Sequence, residues 1–235
     1  MAEYYDYEAE ARRRSSLAES SLSEQLIGLA RRVEDVVLML PDLIKYLGEG
    51  DTYSIISLYH RIRGEKERVE SFKDEALSYL ARLGTLLNTV NIYKDSFISL
   101  SRIATNIDGI AYRAMIMLEN GLLRLPPKII TNLSEIVKVF VDQYRSLSYS
   151  IQMLLEDPRK SYEAATKVFS LEEEIDQRYR QTNIDLYKVL KDEVVALLLL
   201  RDLTELLEDT ADIVRDIAEN VRFLSLYRTA ASPTA

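Results

Sequence analysis

Apolar residues recur at spacings of three and four along nearly the whole chain, and only seven glycines and five prolines interrupt them. That period fits helices and not strands, and the scarcity of breakers makes the helices long. The sequence predicts an all-α fold of six long helices. Ser21-Leu22-Ser23-Glu24 fits a capping box, and Leu22, Leu26, Leu29, Val33, Val36 and Leu40 mark one apolar stripe after it. The first helix is therefore expected from about Ser21 to Leu47, kinked near its end by Pro41. Gly48-Glu49-Gly50 breaks the chain. Asp51 or Thr52 caps a second helix that runs to Leu83, where Gly84 stops it. A third occupies Thr89 to Leu123. Pro126-Pro127 opens a fourth, to Glu156, and Asp157-Pro158 opens a fifth, to Val189. The sixth spans Asp192 to Arg228 after a turn that lacks Gly and Pro.

Division at Pro126-Pro127 gives two sets of three helices. The expected organisation is two tandem three-helix bundles, spectrin-repeat-like, over residues 19–125 and 126–228, with a flexible arm at 1–18 and a tail at 229–235. The arm carries Tyr4, Tyr5, Tyr7 and Arg12-Arg13-Arg14. Placing Glu65 over Glu172 sets Ile62 over Phe169 and Leu77 over Ile184, which suggests an internal repeat.

Charge and residue usage then remove several classes of function. With 38 acidic against 30 basic residues the net charge is -8, so nucleic acid phosphates would be repelled. No cysteine and a single histidine, His60, exclude thiolate chemistry and leave little imidazole chemistry. His60 lies outside any Glu-x-x-His pattern and reads as a surface or packing residue. The apolar run from Val194 to Leu200 stops at Arg201, far short of the ~20 residues that span a bilayer. It is expected to be buried between the bundles, the alternative being a dimer or transporter interface. The first residues resemble no secretory signal, so a cytoplasmic location is expected. No Gly-x-Ser-x-Gly elbow, phosphate loop or Ser/His/Asp set occurs, and the chain is not read as an enzyme.

Carboxylates carry the densest chemical signal. Glu208, Asp212 and Asp216 are four residues apart, drift roughly 40° per step, and so line one helical stripe. Glu172 and Asp176 repeat that spacing on the fifth helix. If the fifth and sixth helices turn near Lys191, both clusters stand roughly 20 to 30 Å from the turn on adjacent antiparallel helices. A site of carboxylates alone suits hard cations such as Fe(III), Mg, Mn or Ca, and zinc also accepts such ligands. The other reading is a solvated acidic face paired with Arg178, Arg201 or Arg215. The first half offers a weaker echo in Glu65 and Asp108, hinged near Leu86. Val69, Ala104 and Tyr112 stand there where further acids would be needed.

Leu171-Glu172-Glu173-Glu174-Ile175-Asp176, Leu200-Arg201-Asp202-Leu203, Glu208 through Asp212, and Asp216-Ile217-Ala218-Glu219 resemble the Glu-x-x-x-Asp helices of the PhoU-like family. Asp108-Gly109-Ile110 and Glu65 resemble their first-repeat counterparts. The resemblance spans roughly residues 20 to 228. It is strongest to the subgroup long carried as a domain of unknown function beside Pit-type phosphate transporters. It implies a non-catalytic regulator or accessory protein of phosphate transport, partnered with a transporter or its signalling protein and forming a homo-oligomer. Peripheral membrane attachment would come only through that partner. It also implies iron, zinc or another divalent or trivalent cation held by Glu172, Asp176, Glu208, Asp212 and Asp216, with Glu65 and Asp108 as remnants. Two alternatives stay open. One is a metal-free helical adaptor whose acidic face binds basic protein surfaces; the other, ranked last, is a carboxylate-bridged metal enzyme.

Overall fold

The computed structural model describes the backbone of residues 2–84, 87–122 and 125–231, and side chains from residue 17 to 230 within those stretches. The expected hinge at Leu86, the side chains of Tyr4, Tyr5, Tyr7 and Arg12-Arg13-Arg14, and the end of the tail lie outside the described residues. Helices α1 (Ala2–Val37), α2 (Leu40–Glu49), α3 (Thr52–Leu83), α4 (Val90–Glu119), α5 (Pro127–Glu156), α6 (Pro158–Val189) and α7 (Val194–Ala231) follow in order. Among the described residues there is no strand.

The expected first helix is present as two. Pro41 has no N–H to donate to the Val37 carbonyl, so the ladder closes with Met39 N–H on Val36 O and restarts with Leu43 N–H on Met39 O. Pro41 thus sits in the first turn of α2 and breaks the helix outright where a kink was expected. At the other end α1 begins at Ala2, so Ser21 lies inside a helix and caps nothing. Ser23 instead shares a buried hydrogen bond with Tyr93 OH at 2.7 Å. Gly50 ends α2 with φ 68° and ψ 26°, a left-handed stop that glycine adopts without strain. Asp51 caps α3 by accepting from Ser54 N–H, and Asp157 caps α6 by accepting from Arg159 and Lys160 N–H. In α7 the first helical residue is Val194, two residues later than expected, after Glu193 N–H closes a turn on Leu190 O.

Helix packing produces two layers. α3 packs on α4, α4 on α7, and α7 on α6, which makes a row of four helices. Behind it α1 lies across α3 and α4, α5 lies across α6 and α7, and α1 and α5 touch each other. Apolar residues fill the space between the layers: Leu22, Leu26, Leu29, Val33, Val36 and Leu40 of the predicted stripe are all buried, as are Phe97, Phe140 and Tyr144. Polar groups in that core are matched in part: Tyr144 OH donates to Ala30 O at 2.8 Å and Gln143 Nε2 to Ala211 O at 3.0 Å, while Gln143 Oε1 is buried without a partner. Among the described residues no other helix packs on the second face of the row, and the grooves between its members open there.

Two apolar expectations change. In the Val194–Leu200 run, Ala196 and Leu200 are buried, but Val194, Val195 and Leu198 are 61%, 53% and 53% exposed. At this end α7 has core contacts on one side only. Ile184, matched in sequence to the partly buried Leu77, is also exposed.

Candidate functional site: an acidic groove between α6 and α7

Two facing stripes build the groove. On α6 the residues are Glu172, Asp176, Tyr179, Asn183 and Tyr187; on α7 they are Val194, Leu198, Arg201, Glu205, Glu208, Asp212 and Arg215. Steps of three and four keep each set on one side of its helix. The sides meet: Arg215 Nη1 is 3.1 Å from Glu172 Oε1, and Glu205, Glu208 and Arg201 all act electrostatically on Tyr179.

Carboxylates crowd the middle of the groove. Burial, aided by Asp212, Asp209, Asp176 and Glu172, pushes Glu208 up to about 7. Burial and the neighbouring Asp212 likewise raise Glu172, against the lowering influence of Arg215. Asp209, on the α4 side of α7, is raised by burial and by Glu205 and Asp212, while Arg102 opposes the shift. Glu172, Glu208 and Asp209 are thus harder to ionise, and Glu208 is a mixture of charged and neutral forms near pH 7.

Basic side chains already occupy this assembly. Arg215 Nη1 lies 3.1 Å from Glu172 and 3.6 Å from Asp212, and its Nη2 lies 3.9 Å from Asp216. Arg180 holds Asp176 at 2.6 Å, one turn along α6. The 40° drift per step that keeps Glu208 and Asp212 half-buried turns Asp216 out to solvent. The structure therefore brings Glu172, Asp176, Glu208 and Asp212 to one groove and leaves Asp216 at its rim.

The first half does not reproduce the arrangement. Glu65 pairs with Arg68 on its own helix. The charged groups acting on Asp108 are Lys66, Arg63, Glu70 and Glu67, and burial raises its carboxyl despite the two cations. Asp108 Oδ1 is buried without a hydrogen-bond partner. Val69 and Ala104 are core residues, and Tyr112 lies on the surface against Tyr59. Glu65 is not among the α3 groups that act on Asp108.

The expectation of iron, zinc or another cation held by carboxylates is corrected by this geometry. Among the described residues no group of three or more His, Asp or Glu side chains is placed to hold a metal ion. The donors fail for a visible reason: the space between Glu172 and Asp212 is bridged by the Arg215 guanidinium, and Asp176 turns to Arg180. A guanidinium supplies the neutralising charge a metal would have supplied.

Sequence reasoning missed Tyr179, Glu205 and Asp209 as members of the acidic assembly, although continuing the three-and-four spacing from Glu208 and Glu172 reaches the first two. It also missed the polar knot at the far end of the molecule. There Arg228 of α7 donates to Leu154 O of α5, Ser23 Oγ and Glu19 O of α1, and Tyr93 OH of α4. No local pattern around Arg228 signals those partners, because they come from three other helices.

No protein-family model and no curated protein matches the sequence. Solved structures do. A PhoU-like protein from Shewanella oneidensis MR-1 superposes with a TM-score of 0.73 over 87% of this chain and 96% of its own, at 16% identity. PhoU from Pseudomonas aeruginosa gives 0.74 over 89% and 97%, at 17% identity. The fold is PhoU-like. The phosphate transport system regulatory protein PhoU from Streptococcus pneumoniae is similar over 89% of this chain and 96% of its own, with a TM-score of 0.62 and 20% identity. At these identities the likeness covers the helical architecture, and the PhoU-like arrangement of long helices is what sets α6 beside α7. Among the described residues no helix is long and apolar enough to cross a membrane.

Proposed function

We propose that the chain is a non-catalytic, cytoplasmic PhoU-like regulator that works as a metal-free interaction module, with the α6–α7 groove receiving a basic surface of a partner protein. The observation that carries this reading is the surplus of carboxylates in an open groove. Arg215 and Arg180 neutralise part of Glu172, Asp176 and Asp212, while Glu208 remains among like charges and Asp209 stays raised despite Arg102. A cationic side chain arriving from outside removes that repulsion, and a complementary charge also steers the encounter.

The partner's place in phosphate transport or its signalling rests on the fold shared with the phosphate transport system regulatory protein of Streptococcus pneumoniae. Division into halves at residues 126–127, and assembly into a homo-oligomer, belong to the same proposal. Among the described residues no nucleophile is paired with a base in the groove, and binding is favoured over turnover.

A labelled peptide of about eight arginines tests the groove by fluorescence anisotropy across a salt series. Binding that weakens with salt and falls about tenfold in the Glu208→Gln, Asp212→Asn variant is expected. Equal binding to both proteins removes the groove from the function. For the physiological role, phosphate uptake that is unchanged by deletion of the gene, in both rich and starved cells, counts against a transport regulator.

A further inference from the structure

The acidic stretch is followed on the same stripe by an apolar one, with Arg201, paired to Glu205, between them. Along α7, Val194 and Leu198 precede Arg201, Glu205, Glu208 and Asp212 on one stripe, and Tyr187 extends the α6 stripe to the same end. Ile184, Tyr187 and Val189 before the α6–α7 turn, and Val194, Val195 and Leu198 after it, are all exposed. Large apolar side chains clustered this way mark a surface that a partner covers.

We propose that the α6–α7 groove is a two-part docking site for one amphipathic helix of a partner protein, its apolar side chains seated on Tyr187, Val194 and Leu198 and its basic side chains beside Glu208 and Asp212. This rests on the reading of the acidic groove given above, and adds the partner's secondary structure, its anchor residues and their spacing. From Val194 to Glu208 is 14 residues of continuous helix, roughly 21 Å, so the apolar and basic groups lie about four helical turns apart on an occupant running along the groove.

Charge decides between this occupant and the others that an apolar patch could receive. A bilayer with anionic headgroups attracts basic surfaces, but at the turn Lys188 and Lys191 are offset by Asp192 and Glu193, and the stripe beyond is acidic. A second copy would bring an equally acidic groove and a net charge of -8 against this one. A basic helix complements the acidic stretch and covers the apolar one at once.

The test uses the full-length chain and labelled helical peptides of about 20 residues. Two carry leucines at one end and arginines at the other, in opposite orders; a third carries the arginines alone. One of the two-part peptides is expected to bind at least about tenfold tighter than the arginine peptide. That gain is expected to vanish in Val194→Ser, Leu198→Ser, which leaves arginine-peptide binding unchanged. A photoreactive group at the leucine end of the same peptide is expected to label residues 194–198 of the unaltered protein, a readout independent of how the variant folds. If the two-part and arginine peptides bind equally, the docking inference fails while the acidic-groove function stands. If neither binds, both fail. Capture of the chain by anionic vesicles through Leu198, or self-association abolished by Leu198→Ser, assigns the patch to a membrane or a second copy and overturns the inference.

Discussion

Arg215 of α7 donates to Glu172 of α6 across the groove at 3.1 Å. The same Nη1 lies 3.6 Å from Asp212, so one guanidinium neutralises a carboxylate on each wall. Both partners are partly exposed, and solvent screening keeps the attraction modest. Arg215→Gln is expected to lower stability by about 1 kcal/mol at pH 7. The loss should shrink at pH 5, where the raised Glu172 carboxyl takes up protons and needs the cation less. Urea unfolding at the two pH values measures this, and a deficit that is the same at both contradicts the neutralising role.

Glu208 gives the opposite sign. Its folded-state pKa of about 7 lies above the 4.5 of an ordinary glutamate, so the folded state holds the proton more tightly than the unfolded one. The resulting penalty is absent below about pH 4.5, grows as pH rises through the interval, and is complete above about 7. Glu208→Gln removes it. With the half-exposed position discounted for screening, the variant is expected to be more stable than the parent by about 1 to 2 kcal/mol at pH 8 and nearly equal to it at pH 5. Equal stability of the two at pH 8 would show that Glu208 is not strained by its neighbours.

Arg228 clamps the opposite end of the molecule, where its guanidinium meets α1, α4 and α5. Arg228→Met keeps much of the aliphatic stem but leaves Leu154 O without that donor and Tyr93 with Ser23 alone. A loss of about 2 to 3 kcal/mol is expected in urea unfolding. Tyr93→Phe deletes one hydroxyl from the same knot and should cost about 1 kcal/mol. Because the two residues share partners, the double variant should lose less than the sum of the two, which a double-mutant cycle reads directly.

The legible part of this protein was its periodic part. Leu22 through Leu40 repeat every three or four residues, and all six stripe positions are buried, because one helix face must meet a core whichever helix supplies it. Asp51 and Asp157 cap helices where expected, since capping is decided within four residues. Ser21 shows the limit of that locality: a capping pattern can sit inside a helix when the residues before it also become helical. The carboxylate stripe was legible in position but not in chemistry. Whether Glu172 and Asp212 face a metal or an arginine depends on where Arg215 points, and that is fixed by the packing of α6 on α7. The exposure of Val194 and Leu198 was likewise undecided between burial and an interface, because a run that is apolar all round does not say how many of its sides have neighbours.

Two helical glycines separate tertiary from local control. Gly64 lies inside α3 with nothing within 4 Å of where a Cβ would stand. Alanine there has only the backbone to satisfy, and Gly64→Ala is expected to stabilise by about 0.5 to 1 kcal/mol through the lower entropy of the unfolded chain. Gly48 lies inside α2, but a Cβ there would stand 2.9 Å from Ile130 Cγ2 of α5. That methyl sits on a β-branched carbon close to the backbone and has little freedom to move aside. The overlap outweighs the helical gain, so Gly48→Ala is expected to destabilise by about 1 to 3 kcal/mol. Ile130→Ala in the same chain removes the obstructing methyl and should recover part of that loss. Thermal or urea unfolding of the four proteins gives the answer, and a stabilised Gly48→Ala variant would show that α2 and α5 are not held at the separation the structure gives them.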